Sequence, residues 1–205
     1  MTPDPQPRDL VRELRAAELT TAVRLVSRGM HDNPLNVRAF GNDSQRRAAA
    51  LERLFGIVVP MVLRKGVVLG TFRDGQLVGV AGMVRPGNCQ AGTAEMIMLM
   101  PRLLYRLGFR SFGRLGAWLD EWKKHDPAEA HWHLGPVAVD AGLRGHGIGG
   151  SLMTEYCRRM DAAGTTGYLE TDKPDNVKFY ERFGFTTIAE ANVLGVPNWF
   201  MIRRP

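Results

Sequence analysis

Residues 131–185 read HWHLGPVAVDAGLRGHGIGGSLMTEYCRRMDAAGTTGYLETDKPDNVKFYERFGF, and this stretch decides the fold. An apolar strand at 137–139 leads into a glycine-rich turn, and an amphipathic helix follows at once. Glycine lets the backbone approach a ligand closely, and a helix start presents unpaired N–H groups and the positive end of its dipole. The segment is therefore predicted to bind a phosphate or pyrophosphate.

The glycines fit two phosphate-binding patterns. Gly145, Gly147 and Gly150 match G-x-G-x-x-G, the dinucleotide fingerprint, and Glu170 ends the next apolar run, where that fingerprint has an acidic residue. A dinucleotide fold needs further strand–helix units afterwards, but this pattern begins about two-thirds along the chain. Its first glycine also follows a spacer at 140–144 instead of a tight turn off the strand. A dinucleotide-binding oxidoreductase is thus the less favoured alternative.

The second pattern begins at Arg144 and reads RGHGIG over residues 144–149. It resembles the R/Q-x-x-G-x-G/A loop of the GNAT N-acetyltransferases, which holds the pyrophosphate of acetyl-CoA. At the expected spacing, NVKFYERFGF at 176–185 resembles the N-x-x-x-Y-x-x-x-G-F element of that superfamily. HWHLGPVAVD, YLETDKPDNVKFYERFGF and the closing NWFMIRRP narrow the resemblance to the puromycin N-acetyltransferase-like branch.

The resemblance implies one α/β domain with a mixed, mainly antiparallel sheet, flanked by helices and splayed at the strand that binds acetyl-CoA. We expect this N-acetyltransferase domain to span residues 9–205, after a flexible tail at 1–8. That tail carries three prolines and no apolar segment, so it does not fit a signal peptide.

Composition restricts the class of protein. The 205 residues suit one domain with a full core, and no apolar run is long enough to span a membrane, so a cytoplasmic protein is expected. The two cysteines give neither a disulfide framework nor the spacing of a metal site, and no metal is predicted. The net charge of +6 suits a polyanion such as CoA, but no basic stripe with interleaved aromatic residues indicates nucleic-acid binding. The sequence leaves a homodimer open.

Apolar periodicity and turn residues predict the other elements. They are a strand at 11–14, a helix at 19–30 broken at 31–34, a helix from 43 or 44 that Pro60 limits, a hairpin around Asp74-Gly75, helices at 94–107 and 111–124, and a final hairpin at 185–193 and 198–202.

The resemblance assigns acetyl-CoA to the strand and loop already described. In the family, the pantetheine arm lies along the strand like an added half-strand, and the loop N–H groups bind the pyrophosphate. Arg144 adds a charge-assisted contact, and His146 contributes its backbone N–H instead of its ring. The predicted cofactor residues are Val137, Ala138, Val139, Arg144, Gly145, His146, Gly147, Ile148, Gly149, Gly150 and Asn176.

Tyr180 is the predicted general acid. It lies one helical turn after Asn176, so both side chains are expected to face the sulfur of the cofactor. A phenol pKa of ~10 against ~8.5 for a thiol makes proton donation uphill by only about 2 kcal/mol. The family's tyrosine at this position is the usual acid.

The general base is less defined. His133 lies on the cofactor strand and has a suitable unperturbed pKa, so it is the first candidate. His131, Glu95, Glu170, Asp172 and a water chain remain alternatives, and a bulge at Gly135-Pro136 makes strand parity uncertain. An acyl-cysteine route is disfavoured, because Cys157 is expected inside the helix after the loop and Cys89 far from the motif.

These features together predict direct, acetyl-CoA-dependent N-acetylation of a primary amine on a small molecule. Two alternatives remain besides the oxidoreductase: a non-catalytic acyl-CoA sensor, and an acetyltransferase acting on protein N-termini or lysines. The sequence does not identify the acceptor.

Overall fold

A seven-stranded sheet is the frame of the computed structural model, which describes residues 9–89 and 93–205 and, at 93–96, the backbone alone. The strands lie side by side in the order β1-β2-β3-β4-β5-β7-β6. Neighbours run antiparallel except β4 and β5, which are parallel. The strands are β1 (Leu10–Glu13), β2 (Gly66–Arg73), β3 (Gln76–Val84), β4 (His131–Val139), β5 (Thr166–Thr171), β6 (Thr186–Val193) and β7 (Val196–Arg203).

Helices cover both faces of this sheet. One core joins the first five helices to side chains such as Val68 and Val80, and the other joins the last two to Leu69 and Met83. The helices are α1 (Leu19–Gly29), α2 (Pro34–Phe40), α3 (Ser44–Lys65), α4 (Thr93–Leu107), α5 (Phe109–His125), α6 (Ile148–Ala162) and α7 (Pro174–Glu181). No helix in the described ranges combines the length and apolar character needed to cross a membrane. The predicted single α/β domain with a mainly antiparallel sheet is confirmed.

The β2–β3 hairpin closes at Asp74-Gly75, as predicted. Both turn residues have positive φ, 51° and 76°, which is the backbone that a two-residue type I′ turn requires. This turn matches the twist of the flanking strands, so β3 lies beside β2 and its other edge pairs with β4.

The sheet splays between β4 and β5. These strands pair over three positions, the last being His133 with Tyr168. Beyond that point β4 continues to pair with β3, where Val137 faces Ala81 and Val139 faces Gly79. The other edge of β4 has no strand partner there among the described residues, so a gap opens between β4 and β5.

A bulge in β4 lies where the splay begins. Ala81 faces Val137 but Met83 faces Leu134, so Gly82 lies opposite the extra residues at 135–136. A Cβ on Gly82 would lie 2.5 Å from the Gly135 carbonyl oxygen, so only glycine fits. The bulge also changes the parity of β4: Leu134 and Val137 belong to the α6–α7 core, whereas Ala138 belongs to the α1–α5 core.

Two helical predictions need correction. α3 does not stop at Pro60 but continues to Lys65. A proline inside a helix costs about 3 kcal/mol, and we attribute its tolerance to Val59 and Val62, which are buried against the sheet. The second correction is α2, which the sequence reading missed. Pro34 occupies its first turn, where the missing N–H costs nothing.

Candidate active site

The loop between β4 and α6 is shaped by two glycines. Gly145 and Gly147 have φ of 81° and 83°, a backbone region that other residues rarely adopt. Asp140 begins the loop, and its carboxylate accepts the N–H of Gly142 at 3.0 Å. Gly147 precedes the first turn of α6, and no side chain caps that turn. The N–H groups at the start of α6 therefore point to a position where a phosphate would be bound.

Two glycines in the first turn of α6 adjoin α7. A Cβ on Gly149 would be 3.4 Å from the ring of Phe179, and one on Gly150 would be 4.0 Å from the ring of Phe183. The first turn of α6 thus packs beside α7, the helix that carries Tyr180.

Two positively charged side chains lie near the loop. Arg144 is exposed and donates to the carbonyl of Gly29 at 3.1 Å, which ties the loop to the end of α1. Lys173, which the sequence analysis overlooked, is half-buried just before α7. Its pKa is lowered by burial and by the nearby charge of Arg144, against the opposing charges of Asp172 and Asp32. An anion bound at the loop would relieve this repulsion.

Tyr180 lies in the core between the aromatic rings of Phe179 and Phe185, at centroid distances of 5.3 and 6.2 Å. Burial, followed by the charge of Asp172, raises the pKa of its phenol. The phenol therefore keeps its proton at any physiological pH.

Asn176 lies one turn before Tyr180, and its side chain makes a structural contact. Its Nδ2 donates to Thr171 Oγ1 at 3.1 Å, which holds α7 against the end of β5.

His133 and Glu170 form a close pair at the last point where β4 and β5 meet. His133 Nε2 lies 2.8 Å from Glu170 Oε2, and the Glu170 side chain is 4% exposed against 24% for His133. Burial by itself lowers the pKa of His133, but the charge of Glu170 and hydrogen bonds to Cys89 and Glu170 outweigh it and hold this pKa well above its ordinary value.

The sequence analysis expected Cys89 to lie far from the motif. In the structure, Cys89 lies against the start of β4. Its thiol donates to the backbone carbonyl of His131 at 3.6 Å. Burial raises its pKa, but hydrogen bonds and charges from His131 and His133 outweigh this and lower it to about 7. Cys157 lies buried inside α6 as expected, and burial raises its pKa.

His131 is nearly enclosed and held from two sides. Its Nδ1 lies 2.8 Å from the Glu129 carbonyl, and its Nε2 lies 3.3 Å from Asp126 Oδ1. Burial lowers its pKa, but Asp126, Cys89 and the Glu129 carbonyl outweigh this and raise it to about 10.

Two base candidates remain, Asp172 and Glu95. Asp172 accepts the N–H of Leu35 at 2.8 Å and the amide of Asn33 at 3.4 Å, so it anchors α2 to the end of β5. Burial raises the pKa of this carboxyl. The side chain of Glu95 lies outside the described residues. The structure therefore brings together His131, His133 and Glu170, and gives Asp172 a structural role.

The comparison with known protein families agrees with this arrangement of a splayed sheet and a glycine loop. The sequence profile of the Acetyltransferase (GNAT) family matches residues 51–185, well over half of the chain. The chain belongs to the GNAT acetyltransferase family. Enzymes of this family use acetyl-CoA as cosubstrate, which fits the position of the glycine loop.

Solved GNAT structures share the fold at low sequence identity. The histone acetyltransferase HPA2 and related acetyltransferase from Corynebacterium glutamicum has a TM-score of 0.76 at 21% identity, with 96% of each chain covered. The polyamine N-acetyltransferase of Drosophila melanogaster, which forms N-acetylagmatine, gives 0.68 at 15% identity, covering 97% of this chain and 100% of that one. A ribosomal-protein-alanine N-acetyltransferase from Brucella melitensis gives 0.58 at 14% identity, covering 96% and 99%.

This GNAT domain also contains two adjoining cavities lined by arginine, of about 400 and 520 Å³. They lie between α2, α3 and α5 and share Arg110 and Arg114 in their walls. Arg38 lines one cavity, and Arg46 and Arg53 line the other. The first cavity also touches Pro34 of α2, the helix that Asp172 anchors beside the splay.

Proposed function

We propose that this GNAT domain transfers the acetyl group of acetyl-CoA directly to the primary amine of a small molecule. The observation that carries the proposal is the gap beside β4, which runs from His133 to a loop with two positive-φ glycines and an uncapped helix start. An extended pantetheine arm would fit the free edge of β4 as an added strand, as a peptide does at a sheet edge. Its pyrophosphate would then reach the loop.

The cofactor contacts follow from this placement. The backbones of Val137, Ala138 and Val139 would pair with the pantetheine amides. The N–H groups of Ile148, Gly149 and Gly150 would face the pyrophosphate, with Arg144 and Lys173 supplying positive charge. The N–H of His146, expected to do the same, donates to the Leu143 carbonyl at 3.4 Å, so it would have to exchange that partner for the phosphate. Asn176 supports the site indirectly, because its amide fixes α7 through Thr171.

His133, paired with Glu170, is the group we propose to accept the proton of the amine. An alkyl ammonium has a pKa near ~10.4, so proton transfer to an unperturbed imidazole of ~6.5 would be strongly uphill. The charge of Glu170 raises the pKa of His133 and narrows that difference, but it also keeps the resting imidazole protonated near neutral pH, so the rate should rise as the pH rises through the pKa of His133. Glu170 also stabilises the imidazolium that forms.

Tyr180 is the group we propose to protonate the departing CoA thiolate. Its raised pKa keeps the proton in place until the thiolate develops, although donation then costs more than the sequence estimate for a free phenol. A direct transfer forms no acyl-enzyme. In this proposal, the protein supplies a proton acceptor, His133 on β4, and a proton donor, Tyr180 on α7.

The arginine-lined cavities favour a particular class of acceptor. Five arginines and one carboxylate, Asp43, line these cavities, and Asp43 lies 3.5 Å from Arg46, so the net charge is positive. We propose that the acceptor enters past them, where this charge would repel a polycation, and that it is neutral or anionic apart from its reacting amine. On this proposal, a polyamine is a poor acceptor for this chain.

A panel of amines with a free-thiol readout tests the proposed function. We expect CoA release with neutral or carboxylate-bearing primary amines, and little with spermidine or agmatine. Acetyl-CoA binding without thiol release from any amine would support a sensor, and turnover confined to peptides would support a protein acetyltransferase. A thermal-shift comparison of acetyl-CoA with NAD(P)H tests the oxidoreductase alternative, and we expect only acetyl-CoA to raise the melting temperature.

Gly147→Asp should block acetyl-CoA binding. Any side chain here must adopt a strained backbone, so Gly147→Asn, which is isosteric and tolerates that backbone, is the matched control. The added carboxylate should raise the Kd for acetyl-CoA about 10–100-fold beyond the asparagine variant, the cost of one lost charge-assisted contact. Isothermal titration calorimetry measures both, and equal Kd values would contradict a phosphate site at this loop.

Tyr180→Phe should lower kcat by ~10²-fold or more while leaving the Kd of acetyl-CoA unchanged, because only a hydroxyl is lost. The loss should shrink with an acyl donor whose thiol is more acidic. Tyr156→Phe is the control: its hydroxyl donates to the Trp132 carbonyl at 2.7 Å, so the change should cost about 1 kcal/mol of stability and little turnover. Equal losses with both donors would indicate that Tyr180 positions the substrate instead.

His133→Gln should lower kcat by ~10²-fold or more, since a general base is removed. Added imidazole should restore part of the rate, which a purely structural defect would not allow. His125→Gln is the control, because that ring stacks on Phe200 at 4.1 Å and takes no part in the proposed transfer. Wild-type kcat in His133→Gln would move the base assignment to another group.

A further inference from the structure

Cys89, His131 and His133 meet on the α1–α5 face of β4. The Cys89 sulfur and one ring nitrogen of each histidine all lie within 4.8 Å of one another. We propose that these three side chains bind Zn²⁺ or a similar borderline-soft divalent cation, and that the bound ion switches acetyl transfer off.

The donor set fits this class of ion. A thiolate and two imidazoles are ligands that zinc prefers, and three protein ligands leave a fourth position for water. In a tetrahedral site with Zn–S of about 2.3 Å and Zn–N of about 2.0–2.1 Å, ligand atoms lie about 3.3–3.6 Å apart. Cys89 follows β3 in a half-buried loop, so it is the ligand that would close the remaining distance around two histidines fixed on a strand.

Each histidine already has the outer contact that metal-binding histidines need. His131 Nδ1 must donate to the Glu129 carbonyl, because a carbonyl can only accept, so Nε2 is the nitrogen that would bind the ion after releasing its proton. His133 Nε2 faces the Glu170 carboxylate, which leaves Nδ1. Such carbonyl and carboxylate partners fix the ring and raise the basicity of its free nitrogen.

His131 is nearly enclosed at this position. The residue is 3% exposed, and Asp126 Oδ1 lies 3.3 Å from its Nε2. An ion bound here would be shielded from bulk water, and that carboxylate would balance part of its charge.

The local charges favour a cation at this position. The carboxylates of Asp126 and Glu170 lie 3.3 and 2.8 Å from the ring nitrogens of His131 and His133, so they stabilise positive charge on the rings. A divalent ion would displace protons from the two imidazole rings, and the same carboxylates would stabilise its charge.

The inhibitory part rests on the proposed function. An ion bound to His133 occupies the nitrogen lone pair that would otherwise take a proton from the amine. The site would then couple transferase activity to the availability of the ion.

The binding test is a Co²⁺ titration of the full chain, without substrates and under reducing conditions. We expect one equivalent to produce tetrahedral ligand-field bands and a thiolate-to-cobalt charge-transfer band, both removed by Zn²⁺. Cys89→Ser should lose the charge-transfer band, and Cys157→Ser, which changes the other cysteine, should keep it. No band in the wild type, or the same band in Cys89→Ser, would overturn the site.

Two further variants guard against misfolding of Cys89→Ser. His131→Gln should keep the charge-transfer band while binding Co²⁺ more weakly, and Glu170→Gln should weaken binding about 10–100-fold, as loss of an outer partner does. Unchanged affinity in both variants would also overturn the site.

Turnover measured with and without one equivalent of Zn²⁺ tests the inhibition. The rate with Zn²⁺ divided by the rate without it should fall far below one in the wild type and in Cys157→Ser. It should stay near one in Cys89→Ser. A confirmed cobalt site with a wild-type ratio of one would overturn the inhibitory part. A chain that shows no turnover even without metal would contradict the proposed function and leave the cobalt result intact.

Discussion

The parting of β4 and β5 after His133 is the constraint on which the rest of the molecule depends. Parallel strands normally satisfy each other's backbone groups along their whole length. Here the bulge at 135–136 takes β4 out of register, and Pro136 lacks an N–H to donate. The sheet therefore opens a cleft without losing its core, because β3 continues to hold β4 on the other edge.

Helix α7 connects the two ends of that cleft. Phe179 packs beside the first turn of α6, while the next residue, Tyr180, enters the core below the gap. The same helix is fixed to β5 through Asn176 and Thr171. The glycine loop and Tyr180 are thus parts of one packed unit, so their separation is set by helix geometry and not by a mobile side chain.

The α1–α5 face of the splay differs from the α6–α7 face, because several partly buried ionisable side chains lie together there. Glu170 and Asp126 hold His133 and His131, and these in turn lower the pKa of Cys89. Removing any one charge would leave others buried and unpaired, which is costly. The cluster therefore acts as a unit, and proton acceptance and metal binding would compete for the same nitrogen atoms.

The sequence by itself determined the features whose physics is local. Asp74-Gly75 specifies its turn through backbone angles, the glycines at 145 and 147 specify the loop, and the motif spacing indicated the family and the splayed sheet. Tertiary structure decided what depends on packing between distant residues. Packing lets α3 continue past Pro60, and it makes Asp172 an anchor for α2. It also brings Lys173 close enough to Arg144 for their charges to interact. It also brought Cys89 to His131, 42 residues away, because β3 and β4 are neighbours in the sheet. Turn chemistry is written in adjacent residues, whereas such contacts follow from which strands pair, and no local pattern encodes them.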